Sequence, residues 1–408
     1  MATLTDTFTS TGAKFFAHEE AMRNLRNGKG QPITTHVMLT DVCNHTCAFC
    51  SVQKRAGDSL PFDVVQEYLR ILLLRGLKSV ILSGGGNPIL YKDKESGADF
   101  NDVVNWIHLT GLEIGVITNG MPLTLHSKMY DGAWRPMDSR YRDANVRKKI
   151  GQVPEDYWRE SWKSVRPETI DKLTWVRVSM AGLDHKENEV YVPDIDPSKT
   201  TLGFSYVAHD IYTEAADPYH GKVSTRADLL SGDKAPERPF ETRVDELTDE
   251  FTAYCEKYKP RYLRLLPNCL EPQLIGRRCE TLQAMADEVN AKINCEVVFV
   301  QYKPPSAPKA CYLGYIHPVL NCDGYVYPCD SCVLNEAAEH QFANPWRVCR
   351  WNEVGELYDR SVRSLIADPA KQCPGCVFPH SNAILGKVVD GTANLTPPSR
   401  RPEHANFI

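Results

Sequence analysis

The chain has 408 residues, 24% of them charged, and a formal net charge of -5. That is enough length for one α/β barrel plus a smaller domain, and too little positive charge to draw nucleic acid or an anionic membrane by bulk attraction. No apolar run is long enough to span a bilayer, and the first residues lack the basic and apolar regions of a secretion signal, so no membrane partner is expected.

With that opening, the fourteen cysteines read as metal ligands and reduced thiols of a cytoplasmic compartment rather than as disulfides. Residues 1–32 form an N-terminal extension, in which apolar periodicity predicts one helix over Ala13 to Arg26. A β-like stretch, Ile33 to Leu39, then runs into Thr40-Asp-Val-Cys-Asn-His-Thr-Cys-Ala-Phe-Cys50. Its cysteines, Cys43, Cys47 and Cys50, have the spacing Cys-x3-Cys-x2-Cys. Thiolates ligate iron–sulfur clusters, and three of them leave one iron of a cubane without a protein ligand. A structural zinc ion wants four closed ligands, and the nearby fourth is His45, inside the same loop.

Phe62, Val65, Leu69, Leu72 and Leu73 recur at helical spacing, and Ser79 to Leu82 is a short apolar run ending in Ser83-Gly-Gly-Gly86, which together make a βαβ unit. Glycines at a strand end let the backbone approach a ligand closely, although their plain reading is a tight turn. A helix about Phe100 to Thr110 leads to a strand, Leu112 to Ile117, ending at Thr118-Asn-Gly120. Further strands are expected at Trp175–Ser179, Leu202–Val207, Tyr262–Leu266 and Glu296–Val300, with helices at Val244–Tyr258 and Glu280–Ile293. Such alternation predicts an α/β protein with a parallel sheet and functional loops at the C-terminal strand ends. The stretch 121–172 is too long for one connection and interleaves aromatics such as Tyr141 and Trp158 with Arg147, Lys148 and Lys149. That content suits a phosphate-bearing or nucleobase substrate; the alternative is a helical insertion with a solvated face.

A Pro-rich linker over 303–309 marks a domain boundary. Beyond it come Cys311, Gly324, Cys329 and Cys373-Pro-Gly-Cys376, with Asp323-Gly324 between two β-favouring runs as a hairpin signal. Spacing alone admits a four-cysteine zinc site here, and Cys322, Cys332 and Cys349 compete as ligands. Cys255, Cys269, Cys279 and Cys295 are expected to be buried thiols. Residues 391–408 carry little apolar periodicity and are expected to form a flexible tail.

The cysteine triad, with Phe49 before its last member, resembles the signature of the radical S-adenosylmethionine (radical SAM) superfamily. The resemblance implies a partial (βα)6 barrel over 33–302 and a [4Fe–4S] cluster on Cys43, Cys47 and Cys50 whose open iron binds SAM. It also implies reductive cleavage of SAM to a 5′-deoxyadenosyl radical that abstracts a substrate hydrogen atom. Ser83 to Leu90 resembles the family's glycine-rich motif, so Gly84, Gly85, Gly86 and Asn87, with Phe49, Thr118, Asn119 and Ser179, would seat SAM. Asn87 stands where an acidic residue is usual; an amide accepts a hydrogen bond but adds no charge assistance. The C-terminal set resembles the twitch domain, a shortened SPASM domain, over 303–390, with Cys311, Cys329, Cys373 and Cys376 holding one auxiliary [4Fe–4S] cluster. Taken together, these resemblances imply an enzyme that oxidises or rearranges a small anionic or nucleotide-like substrate, reduced by a partner such as flavodoxin or ferredoxin. The alternatives are modification or isomerisation of a nucleic-acid base, with contact through 128–166, and a ribosomal-peptide maturase. No local motif marks a catalytic acid or base.

Overall fold

The computed structural model describes residues 4–9, 12–43, 45, 47, 49, 50, 57–120, 165–184, 190–211, 236, 238–269, 271–302, 310–330, 346–362, 376 and 378–408. Most of the aromatic, basic stretch 121–172, the linker 303–309, Cys332 and Cys373 lie outside the described residues.

Seven strands, β1 (Thr34–Val37), β2 (Ser79–Leu82), β3 (Glu113–Thr118), β4 (Trp175–Ser179), β5 (Thr201–Ala208), β6 (Tyr262–Pro267) and β7 (Val298–Val300), pair side by side in chain order. All six pairings are parallel. The strands expected from the sequence are all present, and the fold is the predicted α/β partial barrel. Helices cross back between strands. Phe62–Leu73 joins β1 to β2 and buries Val65, Tyr68, Leu69 and Leu72 on one stripe, the spacing of a helix face on a sheet. Phe100–Leu109 starts at Asp99, whose carboxylate accepts from the amides of Asn101 and Asp102 in a capping box. Val244–Tyr258 and Ile275–Lys292 flank β6.

The sheet does not close between β1 and β7. The free side of β1 takes β8 (Val319–Leu320), parallel to it, and β8 continues antiparallel into β9 (Tyr325–Tyr327) and β10 (Cys349–Arg350). The β8–β9 turn is the expected Asp-Gly hairpin: Gly324 has φ of 77°, and Asp323 accepts from the Tyr325 amide and the Tyr327 hydroxyl.

Two glycines shape the lower end of the barrel. A Cβ on Gly115 of β3 would stand 2.1 Å from the Trp175 ring, and one on Gly203 of β5 would stand 2.1 Å from the Tyr262 ring. Both rings therefore fold over a neighbouring strand's glycine at the N-terminal strand ends. Phe8 stacks on Tyr262 with ring centroids 4.3 Å apart, and Phe407 meets Trp175 edge-on at 5.2 Å. Together the four rings form an aromatic floor.

Phe407 belongs to the segment expected to be a flexible tail. Instead, Ala405, Phe407 and Ile408 are buried. The Asn406 carbonyl accepts from Thr34 and Ser79, and the Ile408 amide donates to Thr34. Its few apolar residues fill a barrel end, a tertiary fit that periodicity does not register. The same contacts correct the expected helix over Ala13 to Arg26. It is two short helices, Gly12–Phe16 and Glu19–Arg26, broken beside His18, whose Nε2 lies 2.9 Å from the Ala405 carbonyl oxygen.

Candidate functional site

The Cys43–Cys50 loop leaves the C-terminal end of β1 and is pinned at its base. The Asp41 amide donates to the Asp58 carbonyl, the Asp58 amide donates back to the Asp41 carboxylate, and Thr40 bonds both the Asp58 carbonyl and Ser59. Cys43, Cys47 and Cys50 are half-buried on this loop, and the Cys50 amide donates to the Cys47 carbonyl at 2.9 Å. Among the described residues no three His, Cys, Asp or Glu side chains converge as they would around a single ion. A cubane asks for something different, since each thiolate binds its own iron. Three partly exposed thiols on one short, anchored loop fit that demand.

The glycine loop after β2 lies against this loop. The Gly86 amide donates to the Thr40 carbonyl at 2.7 Å and the Asn87 amide to the Val42 carbonyl at 2.8 Å. A Cβ on Gly86 would stand 2.0 Å from the Val42 oxygen. In this structure Gly86 is thus required for loop-to-loop packing.

Asn87 ties β2 to β3. Its Oδ1 accepts from the Thr118 hydroxyl at 2.9 Å and from the Ile89 amide at 3.3 Å, and its Nδ2 donates to Asn119 Oδ1 at 2.9 Å. The Ile89 N–H can only donate, which fixes the amide's orientation. Both lone pairs of Oδ1 are engaged, so its role here is to set Thr118 and Asn119 rather than to present a vacant acceptor. Thr118 pairs in register with Val178, placing Ser179 one residue beyond it on β4. The residues singled out in the sequence therefore line up along the C-terminal ends of β1 to β4.

Phe49 crosses the barrel mouth, its ring centroid 4.8 Å from that of His209 after β5. Sequence reasoning missed His209 and its buried neighbours. His209 Nδ1 lies 3.0 Å from the Val207 carbonyl oxygen and 3.9 Å from Asp184, and Asp184 bonds Arg243 and the Tyr206 hydroxyl. Burial works to lower the Arg243 pKa, but Tyr206 and Asp184 outweigh it and raise it. A second buried cluster joins Arg278 to Glu271 at 2.6 Å and to Asp210 at 2.8 Å. These pairs brace the far side of the mouth; nothing local in sequence announces them.

The second cysteine set is carried elsewhere. Because β9 runs antiparallel to β8 and thus to β1, Cys329 lies toward the opposite end of β1 from Cys43. Cys311 and Cys329 are half-buried and Cys376 is buried. The Cys376 sulfur accepts from the Phe378 amide at 3.3 Å and from Asn382 Nδ2 at 3.5 Å, at the start of the helix Pro379–Val389. Asn382 Oδ1 in turn accepts from the amides of Tyr312 and Leu313, clipping the segment after Cys311 to Cys376. Burial pushes the thiols of Cys322 and Cys349 up, Cys349 to about 12, which disfavours the thiolate a metal needs. Of the four thiols expected to be buried, Cys255 is buried, Cys269 and Cys279 are half-buried and Cys295 is exposed. The turn after the helix Ile275–Lys292 lifts Cys295 out.

The barrel holds a part-open cavity of about 110 Å³, with Arg177, Arg264, His36 and Asp330 on its walls and the rings of the aromatic floor among its lining. Among the described residues no helix is long and apolar enough to cross a membrane.

Residues 37–135 match the Radical SAM superfamily model. The stretch contains the cysteine triad, the glycine loop and Thr118-Asn-Gly120. The chain is 30% identical over 81 residues to a tRNA-2-methylthio-N(6)-dimethylallyladenosine synthase of Herpetosiphon aurantiacus, covering 19% of this chain and 18% of that one. It is 29% identical over 91 residues to an S-adenosylmethionine-dependent nucleotide dehydratase of Selenomonas ruminantium, covering 22% of this chain and 31% of that one. The chain thus spans less than a third of either curated relative. Among solved structures it is similar to Streptococcus suis SuiB bound to precursor peptide SuiA, at 12% identity and a TM-score of 0.45 over 85% of this chain and 70% of that one.

Proposed function

We propose, from the premise that this chain is a radical SAM protein, that it oxidises or rearranges a small anionic or nucleotide-like substrate held inside the barrel. Cys43, Cys47 and Cys50 would hold a [4Fe–4S] cluster whose open iron takes SAM. When bound, that pair supplies a 5′-deoxyadenosyl radical for hydrogen-atom abstraction, with the electron coming from a partner such as flavodoxin or ferredoxin. The chain's own residues supply position and shelter. Gly86 and Asn87 lock the glycine loop to the cysteine loop and to Thr118 and Asn119, Ser179 extends that edge, and Phe49 on His209 closes the far side. Cys311, Cys329, Cys373 and Cys376 would hold one auxiliary [4Fe–4S] cluster, clipped by Asn382.

The observation that carries this reading is the lining up of the triad, the glycine loop, Thr118, Asn119 and Ser179 along adjacent C-terminal strand ends. It is tested by iron and sulfide content after anaerobic reconstitution, together with 5′-deoxyadenosine release under reduction. About eight irons, falling to about four in a Cys43/Cys47/Cys50 triple Ala variant that no longer cleaves SAM, is the expected result. Iron without SAM cleavage by the parent protein would sink the reading. About four irons falling to none would remove the auxiliary cluster alone.

A further inference from the structure

Arg177 on β4 and Arg264 on β6 stand on either side of β5, where Arg177 is in register with Gly203 and Arg264 with Ser205. Small residues between them leave both guanidinium groups facing the cavity. Arg264 Nη1 donates to Gln301 at 2.7 Å. Arg177 bonds Tyr262 and lies 5.5 Å from the Trp175 ring centroid. The Nε atoms of both arginines, and His36 Nε2, are buried without a hydrogen-bond partner. Among the described residues, Asp330 is the one acidic side chain lining the cavity, and neither guanidinium lies within salt-bridge distance of a described carboxylate.

Burial pulls both guanidinium pKa values down, and Arg177 lowers that of Arg264 further. Asp330 offsets part of this, but two buried like charges are expensive to keep. A purely structural role would use the Gln301, Tyr262 and Trp175 contacts and give no use to the two buried Nε–H donors.

We propose that Arg177 and Arg264 form the pocket for a terminal oxyanion, carboxylate or phosphate, of the substrate. This names the substrate class of the radical SAM reading and rests on it. The planar forks of two arginines match the oxygens of either group and offset the desolvation cost. Arg177 lies two residues nearer the floor than Ser179 on the same face of β4, so the anion sits beneath the SAM end and the rest of the substrate extends up toward it. A cavity of about 110 Å³ holds one such group or a few waters, each of roughly 30 Å³. Space for one such group suits the end of a small molecule.

The test uses the reconstituted full chain without SAM, titrated calorimetrically and by thermal shift with inorganic phosphate and, separately, with propionate, against chloride at matched ionic strength. One or both should bind and raise Tm in the parent, and R177Q/R264Q should weaken binding at least tenfold. Phosphate alone identifies a phosphate end and propionate alone a carboxylate end. Binding by neither, or binding that survives intact in the double variant, overturns the proposal. If the double variant does not fold, R264K keeps the charge but loses the fork, and an anion affinity unchanged in it is equally fatal. 5′-Deoxyadenosine release by the parent is followed in parallel. Its absence alongside anion binding defeats the radical SAM reading, whereas its presence without anion binding defeats only the pocket.

Discussion

Gly86 and Val42 approach so closely that a Cβ on the glycine would stand 2.0 Å from the Val42 carbonyl oxygen. The obstacle is backbone, which has no rotamer to yield. The glycine loop and the cysteine loop therefore behave as one unit, and a shift in one carries the other with it.

Gly86→Ala should destabilise the fold by about 2–3 kcal/mol, the upper part of the range for forcing a methyl group into packed structure, and should lower iron incorporation at the triad. Urea unfolding and iron content of the reconstituted variant check this. Gly276, in the helix Ile275–Lys292, meets nothing within 4 Å of a built Cβ. Its replacement by Ala should be neutral or stabilising by about 0.5–1 kcal/mol.

Asn87→Leu should cost about 1–3 kcal/mol for each donor it strands, namely the Thr118 hydroxyl and the Ile89 amide. Asn87→Asp keeps both acceptances and loses only the donation to Asn119, so it should be clearly milder. If the two variants unfold at the same urea concentration, the network does not carry stability in this way. On the proposed function, SAM affinity should fall with stability in Asn87→Leu.

Strands were legible where the signal is local. Ser79–Leu82 and Trp175–Ser179 have the expected bounds because apolar runs stopped by Gly or a polar residue need no partner to be recognised. The candidate site residues stood out for a related reason, since Cys43 to Cys50 and Gly84 to Asn87 come within a few residues of a strand's end and Thr118-Asn119 spans one. Inward-facing Arg177 and Arg264 hid within β-like runs, where alternation leaves open which face is inside. His209, Asp184 and Arg243 are joined only by folding. The tail misled because Phe407 and Ile408 are too few to form a pattern, yet they fill the barrel end.

Asn382 touches both parts of the second cysteine set, and one substitution separates its roles. Asn382→Asp keeps the acceptor for the Tyr312 and Leu313 amides but replaces the donor facing the Cys376 sulfur with an anion. The fold should therefore persist within about 1 kcal/mol, while, on the proposed function, iron held by the C-terminal cysteines falls or its reduction potential drops as the local negative charge rises. Parent-like iron content and potential would show that Asn382 serves the fold alone.

The clasp between the two ends of the chain makes stability depend on pH. His404 lies between Phe8 and Phe407, and burial lowers its pKa from 6.5 to about 4, with Lys14 and Arg261 adding to the fall and Glu403 opposing it. Burial likewise lowers Lys14 from 10.5 to about 7, where its Nζ lies 3.0 Å from the Phe407 carbonyl oxygen. Both are cations disfavoured by the fold. Below the folded pKa each is charged in both states and contributes no slope. Between the folded and unfolded values only the unfolded chain holds the proton, so stability rises with pH. The rise should run from about pH 4 to 6.5 for His404, on the order of 3 kcal/mol at roughly 1.4 kcal/mol per pH unit, and again above about pH 7 for Lys14. Burial also lowers His18 and His36, reinforcing the first limb. Urea midpoints across that range should climb in the parent, His404→Phe should flatten the acid limb, and Lys14→Met the alkaline one. An acid limb that keeps its slope in His404→Phe would mean the charge is accommodated at the clasp and other histidines set the dependence.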